Sequence, residues 1–276
     1  MIRGRRTIAL ACRRPDGGIY TYREPLSSLL VRSRIARLPF VRGTIVLWDS
    51  LAYGMRMLMR SVEVQEPGMT QAGPGQAIGV ALSVLAAVAI FLGIPYVATQ
   101  ALHGAVGSSL ALNVAEGLLR LALFVGYIGA ISLLPDIRRV FAYHGAEHMT
   151  IHAFEHDDPL TPERIEPYPT AHPRCGTAFL LLVVFVAIVL FAFVPRANPV
   201  LDLVIRLALV VPIAMISYEV LRLGSRYERN PLMRILIAPG LLMQRITTRR
   251  PDRAMIEVAV ASLEEALAGD REAEAA

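Results

Sequence analysis

Between Glu66 and Glu116 the chain carries no Asp, Glu, Lys or Arg, and between Arg174 and Arg196 it again carries none. A helix needs roughly 20 apolar residues to cross the hydrocarbon of a bilayer, so both stretches are long enough to enter one. The apolar pattern predicts four spans, about Ala77 to Thr99, Ala115 to Leu134, Thr177 to Val194 and Val200 to Leu221, paired as two helical hairpins. Upstream, Thr7 to Arg14 and Ile19 to Glu24 alternate and are rich in β formers. Pro15-Asp16-Gly17-Gly18 between them supplies the positive-φ residues of a tight turn. The expected fold is mainly α: a polytopic membrane protein with four transmembrane helices, a small N-terminal β-hairpin and cytoplasmic or interfacial helices.

From Phe40 to Val62, apolar residues recur at Val41, Ile45, Trp48, Leu51, Met55, Leu58 and Val62, with Arg42, Asp49, Arg56 and Arg60 between them. This stripe fits a helix lying in the membrane interface or one packed on the protein's own cytoplasmic domain. In the tail, Leu232 to Met243 is apolar, but Pro239-Gly240 interrupts it and it is too short to span. Asp252 is placed to cap a last helix with the stripe Ile256, Val260, Leu263 and Leu267, fraying beyond Gly269. The chain thus divides into an N-terminal segment (1–76), a first transmembrane hairpin (77–134), a loop (135–176), a second hairpin (177–221) and a C-terminal segment (222–276). The pairs Glu116 with Arg120 and Asp202 with Arg206 sit near predicted span ends and are read as snorkelling anchors.

Composition agrees with a bilayer as solvent: 54% of residues are hydrophobic and mean hydropathy is +0.48. Every basic residue is arginine, and the arginines crowd the segments before Ala77, around Arg138 to Arg174 and after Leu221. The positive-inside rule places these in the cytoplasm, which gives a bacterial inner-membrane protein with both termini cytoplasmic. The turn from His103 to Asn113 carries no positive charge and fits the other side. Net charge is +5. It is read as topology and anionic headgroups, so membrane lipids are the expected partners and nucleic acid is not; homo-oligomerisation is left open. Cys12 and Cys175 are both on the expected cytoplasmic side, where thiols stay reduced. Met1 to Arg6 is basic, but the following apolar run is cut by Arg13, Arg14 and Pro15, so targeting is expected from the first span rather than a cleaved signal.

The candidate chemistry lies in the loop. Tyr143-His144-Gly145-Ala146-Glu147-His148 has the spacing HxxEH, which on a helix puts His144 and His148 about 40° apart and one turn along the axis. In inverted zincins this order supplies two zinc ligands and a glutamate base. Here it suggests zinc, or another divalent transition metal, on His144 and His148, with Glu147 polarising a water. His172-Pro173-Arg174-Cys175 follows, and Cys175 or His172 would give the third ligand of a catalytic site; both together would close a structural one. Pro159, Pro162, Pro167 and Pro169 shape a loop that brings this second cluster back. Glu155 is a candidate supporting carboxylate or ligand of a second ion. His152 and His156 are read as solvated, and His103 as structural.

YHGAEH, HPRCGT and the tail segment from Ala238-Pro239-Gly240-Leu241 through Gln244-Arg245 to Thr247-Thr248-Arg249 resemble the YqhQ-like family of bacterial membrane proteins, described as predicted metal-dependent enzymes. Leu38-Pro39-Phe40-Val41-Arg42-Gly43 and Arg13-Arg14-Pro15-Asp16-Gly17 carry the same resemblance. It implies Tyr143, His144, Glu147, His148, Glu155, His172, Arg174 and Cys175 as matched positions, with Tyr143, Glu155 and Arg174 supporting the ligands. His152 falls where relatives tend to carry a different polar residue. Relatives also carry a Gly-Gly-Gln segment ending in Glu-Gly-Val just before Met1-Ile2-Arg3-Gly4. The expected function is that of a metal-dependent enzyme, a zinc hydrolase, with peptidase the commonest chemistry of the motif. The alternative is a non-enzymatic scaffold or assembly factor stapled by zinc; a transporter ranks third.

Overall fold

The computed structural model describes the whole chain except residues 28–37, 67–73, 103–107, 174, 197, 228–229 and 276. His103 and Arg174 therefore lie outside the described residues. Three antiparallel strands, β1 (Ile2–Arg3), β2 (Thr7–Arg13) and β3 (Ile19–Pro25), form a sheet in that order. The expected hairpin is its β2–β3 pair, with Gly17 at φ 87° and Asp16 accepting from the Gly18 N–H at 2.9 Å. β2 is not half-solvated: Thr7 to Cys12 are all buried. Ile8 and Leu10 pack with Tyr53 and Met57 of α1 (Val41–Gln65), while Ala9 packs with Leu263 and Ala266 of α10 (Arg253–Ala275). Small residues on one face and large ones on the other let a helix cover each side.

Helix α1 packs one face on the protein's own sheet and leaves the other exposed. Tyr53 and Met57 are buried against the sheet, whereas Trp48, Leu51, Met55 and Leu58 are exposed. The C-terminal helix does not fray after Gly269. The Asp270 carboxylate accepts from the backbone N–H groups of Arg5, Arg6 and Thr7 at 2.6, 2.8 and 3.0 Å. That clamp holds α10 to the β1–β2 turn.

The apolar elements are α2 (Pro74–Val88), a π turn (Ala89–Gly93), α3 (Ile94–Gln100), α4 (Ser109–Ile131), α7 (Gly176–Ala192), α8 (Pro199–Arg226) and α9 (Pro231–Thr247). Among the described residues, three stretches are long and apolar enough to cross a membrane, Ile78–Gln100, Ser109–Ile131 and Pro199–Gly224; Ala178–Ala192 is shorter. Their exposed faces carry Ile78, Leu82, Leu85, Leu118, Val204 and Val211, the arrangement a membrane protein presents to lipid. α4 starts six residues earlier than the apolar pattern implied, because the Ser108 side chain caps it by accepting from Ala111 N–H. Glu116 and Arg120 therefore lie inside the helix. With Asp202 and Arg206 they are buried among the helices, not snorkelling at span ends. Pro239 does not break the tail segment either: α9 runs through it, and Gly240 lets it close on Ala178 of α7, where a Cβ would lie 2.7 Å from that residue's Cβ.

Between the two hairpins stand α5 (Pro135–Glu155) and the one-turn α6 (Pro162–Ile165). Met149 and Ala153 of α5, Ile165 of α6, and Ile256 and Ala259 of α10 share one core. This core ties the sheet module to the metal-motif helix.

A candidate metal centre on helix α5

Pro135 starts α5 after an extended Leu134, which suits a ring that has φ fixed and no N–H to satisfy. The helix then sets His144, His148 and His152 along one face at four-residue steps. Gly145 is required by the neighbouring chain. Arg249 donates its N–H to the Phe141 carbonyl at 2.9 Å, and its own carbonyl sits where a Cβ on Gly145 would be. The segment after α9 is thereby laid directly on α5.

That segment and the proline-rich loop orient the two imidazoles. His144 Nδ1 donates to the Thr247 carbonyl at 2.9 Å, and His148 Nδ1 donates to the Thr170 carbonyl at 2.6 Å. Carbonyls only accept, so both Nδ1 atoms hold protons and each Nε2 is directed to other work. His144 Nε2 lies 3.2 Å from Cys175 Sγ. One ligand atom each from His144, His148 and Cys175 all fall within 4.8 Å of one another. A tetrahedral zinc with bonds of about 2.0–2.3 Å separates neighbouring ligand atoms by roughly 3.3–3.7 Å, so small side-chain shifts would close this set on an ion.

The electrostatics favour a thiolate. Burial would raise the Cys175 thiol, but hydrogen bonds from His144 and His148 outweigh it and bring the pKa down to about 5. Burial works against charge on His144 as well, yet its bond to Cys175 and the charge beside it raise its pKa. A buried, histidine-supported thiolate is the form of cysteine that binds metals.

His172 is brought close without joining the three. It is buried, with its Nε2 3.3 Å from Glu155 Oε2 and its ring centre 5.8 Å from that of His148. Burial first, and then the nearby His152, bring its pKa to about 4. Its backbone is clamped twice by Gln244 of α9, which accepts from His172 N–H at 2.8 Å and donates to its carbonyl at 3.0 Å. His152 is not simply solvated: its Nε2 is 2.9 Å from the Ala171 carbonyl, and its ring is 4.6 Å from that of His172. His156 is exposed, against Tyr168.

Glu147 points elsewhere. Its carboxylate contacts the Met1 ammonium and, with Tyr143, Arg139, Arg13 and Cys12, lines a polar cavity of about 530 Å³ on the flank of α5. The helical wheel accounts for this: Glu147 is about 60° behind His144 and 100° from His148, so it is turned away from the side that meets Cys175. Sequence reasoning placed it beside the ligands, as the base, because it lies between them in the chain. It also missed Thr170, Thr247 and Gln244, although the last two fall in the tail segment that carries the family resemblance.

No solved structure matches the chain. A family profile described as "Protein of unknown function (DUF1385)" matches residues 38–269. The protein YqhQ of Bacillus subtilis (strain 168), described as uncharacterized, is 30% identical over 283 residues, covering 97% of this chain and 89% of that relative. With the profile spanning most of its length and this similarity running nearly end to end, the chain belongs to the YqhQ-like DUF1385 family.

Proposed function

We propose that His144, His148 and Cys175 hold a zinc ion and that the protein is a metal-dependent hydrolase of the bacterial inner membrane. The observation that carries this reading is the orientation of the two imidazoles: each Nδ1 is committed to a backbone carbonyl, and the triad they form with Cys175 has an N₂S donor set suited to zinc. Three protein ligands leave one tetrahedral position for water or substrate, the pattern of catalytic rather than structural zinc. When bound, the ion would lower the pKa of a water and polarise a carbonyl or phosphoryl oxygen. Of the chain's own groups, the buried His172 with Glu155 behind it is better placed than Glu147 to move a proton there. The scaffold reading keeps one supporting observation: His172 is close enough that a ring shift would make it a fourth ligand.

In the membrane, α7 is proposed as a fourth crossing. It has 17 helical residues, and its apolar run continues to Val194. Both termini and the metal centre then lie on the cytoplasmic side, with the exposed Trp48, Leu51, Met55 and Leu58 of α1 resting in the interface.

Cobalt substitution tests the assignment without a known substrate. Cobalt(II) on this site should show a thiolate charge-transfer band that Cys175→Ser abolishes, and added azide should shift the visible bands by entering the fourth position. Bands insensitive to azide in the wild type, but sensitive in His172→Ala, would establish a closed structural site instead. Absence of any thiolate band would remove the metal reading.

A further inference from the structure

The membrane half of the molecule concentrates charge that the metal centre does not use. Glu116 of α4 is wholly buried and receives Arg120 at 2.6 Å, Arg206 at 2.8 Å and Arg196 at 2.6 Å. Arg196 and Arg206 also share Asn113 Oδ1, at 2.8 and 3.1 Å. Asp202 is buried as well and accepts from the Tyr96 hydroxyl at 3.0 Å. The cluster thus sets three guanidinium groups against two carboxylates, one positive charge in excess among the described residues. An uncompensated charge in so apolar a place is costly, and ionisable groups inside a membrane are retained for a task.

Arg120 shows where the compensating charge belongs. Its Nε donates to the Phe91 carbonyl at 2.8 Å, a carbonyl within the π turn, and its Nη2 is taken by Glu116. Its Nη1 is buried with no hydrogen-bond partner among the described residues. Arg120 also lines a cleft of about 220 Å³ whose other walls include Phe91, Phe124, Leu180, Val183, Phe191 and Ile213. The guanidinium sits 4.9 Å over the Phe191 ring. Leu180 is 11 residues earlier on α7, about 16 Å away along the axis. The cleft is therefore long and apolar, with a cation at one end.

We propose that this cleft binds one long-chain carboxylate, its alkyl chain along α7 and its head on Arg120. A single negative charge matches the single excess cation, and a carboxylate accepts a charge-assisted hydrogen bond from Nη1. Size selects against a two-chain phospholipid: about 220 Å³ has room for one alkyl chain and not for two.

Radiolabelled palmitate binding to the full-length protein in non-ionic detergent tests this. The wild type should bind about one palmitate per chain, and palmitate methyl ester, which keeps the alkyl chain without the charge, should compete at least about tenfold more weakly. Arg120→Gln removes the unpartnered N–H while Arg196 and Arg206 still hold Glu116. Val183→Trp fills the cleft without touching a charge. Each should weaken binding at least about tenfold. Equal competition by the methyl ester, or wild-type binding by Val183→Trp, overturns the proposal, and both results stand even if Arg120→Gln fails to fold. Displacement of palmitate by anionic phospholipid, but not by zwitterionic phospholipid, would make the occupant a lipid headgroup and overturn the single-chain assignment.

Discussion

Cys175 and Cys12 are both buried, yet their surroundings push the thiols in opposite directions. Burial, only partly offset by Ser61, raises Cys12, whereas the two imidazoles bring Cys175 to about 5. In metal-stripped protein, alkylation of Cys175 by iodoacetamide should therefore be nearly independent of pH above about 6, because the thiolate is already formed. Alkylation of Cys12 should still be rising at pH 8. Mass spectrometry of the two labelled peptides reads this directly, and a Cys175 profile that climbs steadily from pH 7 to 9 would mean that no histidine-supported thiolate exists. The second residue-scale expectation concerns Glu147. Because it lines the neighbouring cavity and not the triad, Glu147→Gln should leave metal content unchanged, whereas His148→Ala should lose it. Loss of metal in Glu147→Gln would place that carboxylate in the ligand sphere.

At the scale of elements, the hairpin, the amphipathic α1 and the motif helix were legible in the sequence because each announces itself within one short window. Pro15-Asp16-Gly17-Gly18 forces a turn, the stripe from Val41 to Val62 repeats at helical spacing, and HxxEH is a local pattern. What escaped depends on chain from elsewhere. Asp270 reads as one more acid in a polar tail until the β1–β2 turn, far away in the chain, presents three N–H groups to it. Glu116 and Arg120 read as anchors until Ser108 extends α4 beyond them and Arg196 and Arg206 arrive from the α7–α8 connection and from α8. Two substitutions separate these contributions. Asp270→Ala should cost about 1–3 kcal/mol of stability by stranding buried backbone donors, with little effect on bound metal. Gly145→Ala should do the reverse in emphasis: its methyl collides with the Arg249 carbonyl, lifts the Thr247 carbonyl from His144, and so weakens metal binding. Thermal unfolding and metal content, measured on both variants, distinguish them. Equal metal loss in the two would show that the centre follows global stability, not the Gly145 contact.

Taken whole, the molecule has two polar centres joined by apolar helices. The histidine–cysteine centre sits where α5, the loop and the α9 end converge, and the arginine cluster sits near the other ends of the spans. Among the described residues three helices have the length and composition to cross a bilayer, and a fourth crossing by α7 would put the two centres on opposite halves of the membrane. Reporter fusions after Ala105 and after Ala276 should then report opposite compartments; the same compartment for both would contradict a cytoplasmic C-terminus joined to that turn by an odd number of crossings. The central claim is the metal centre itself. Elemental analysis of the purified full-length protein tests it most directly: the account predicts close to one zinc per chain in the wild type and in Glu147→Gln, and almost none in His148→Ala or Cys175→Ala. Wild-type protein without stoichiometric metal after zinc supplementation, or a Cys175→Ala variant that keeps it, would contradict the account.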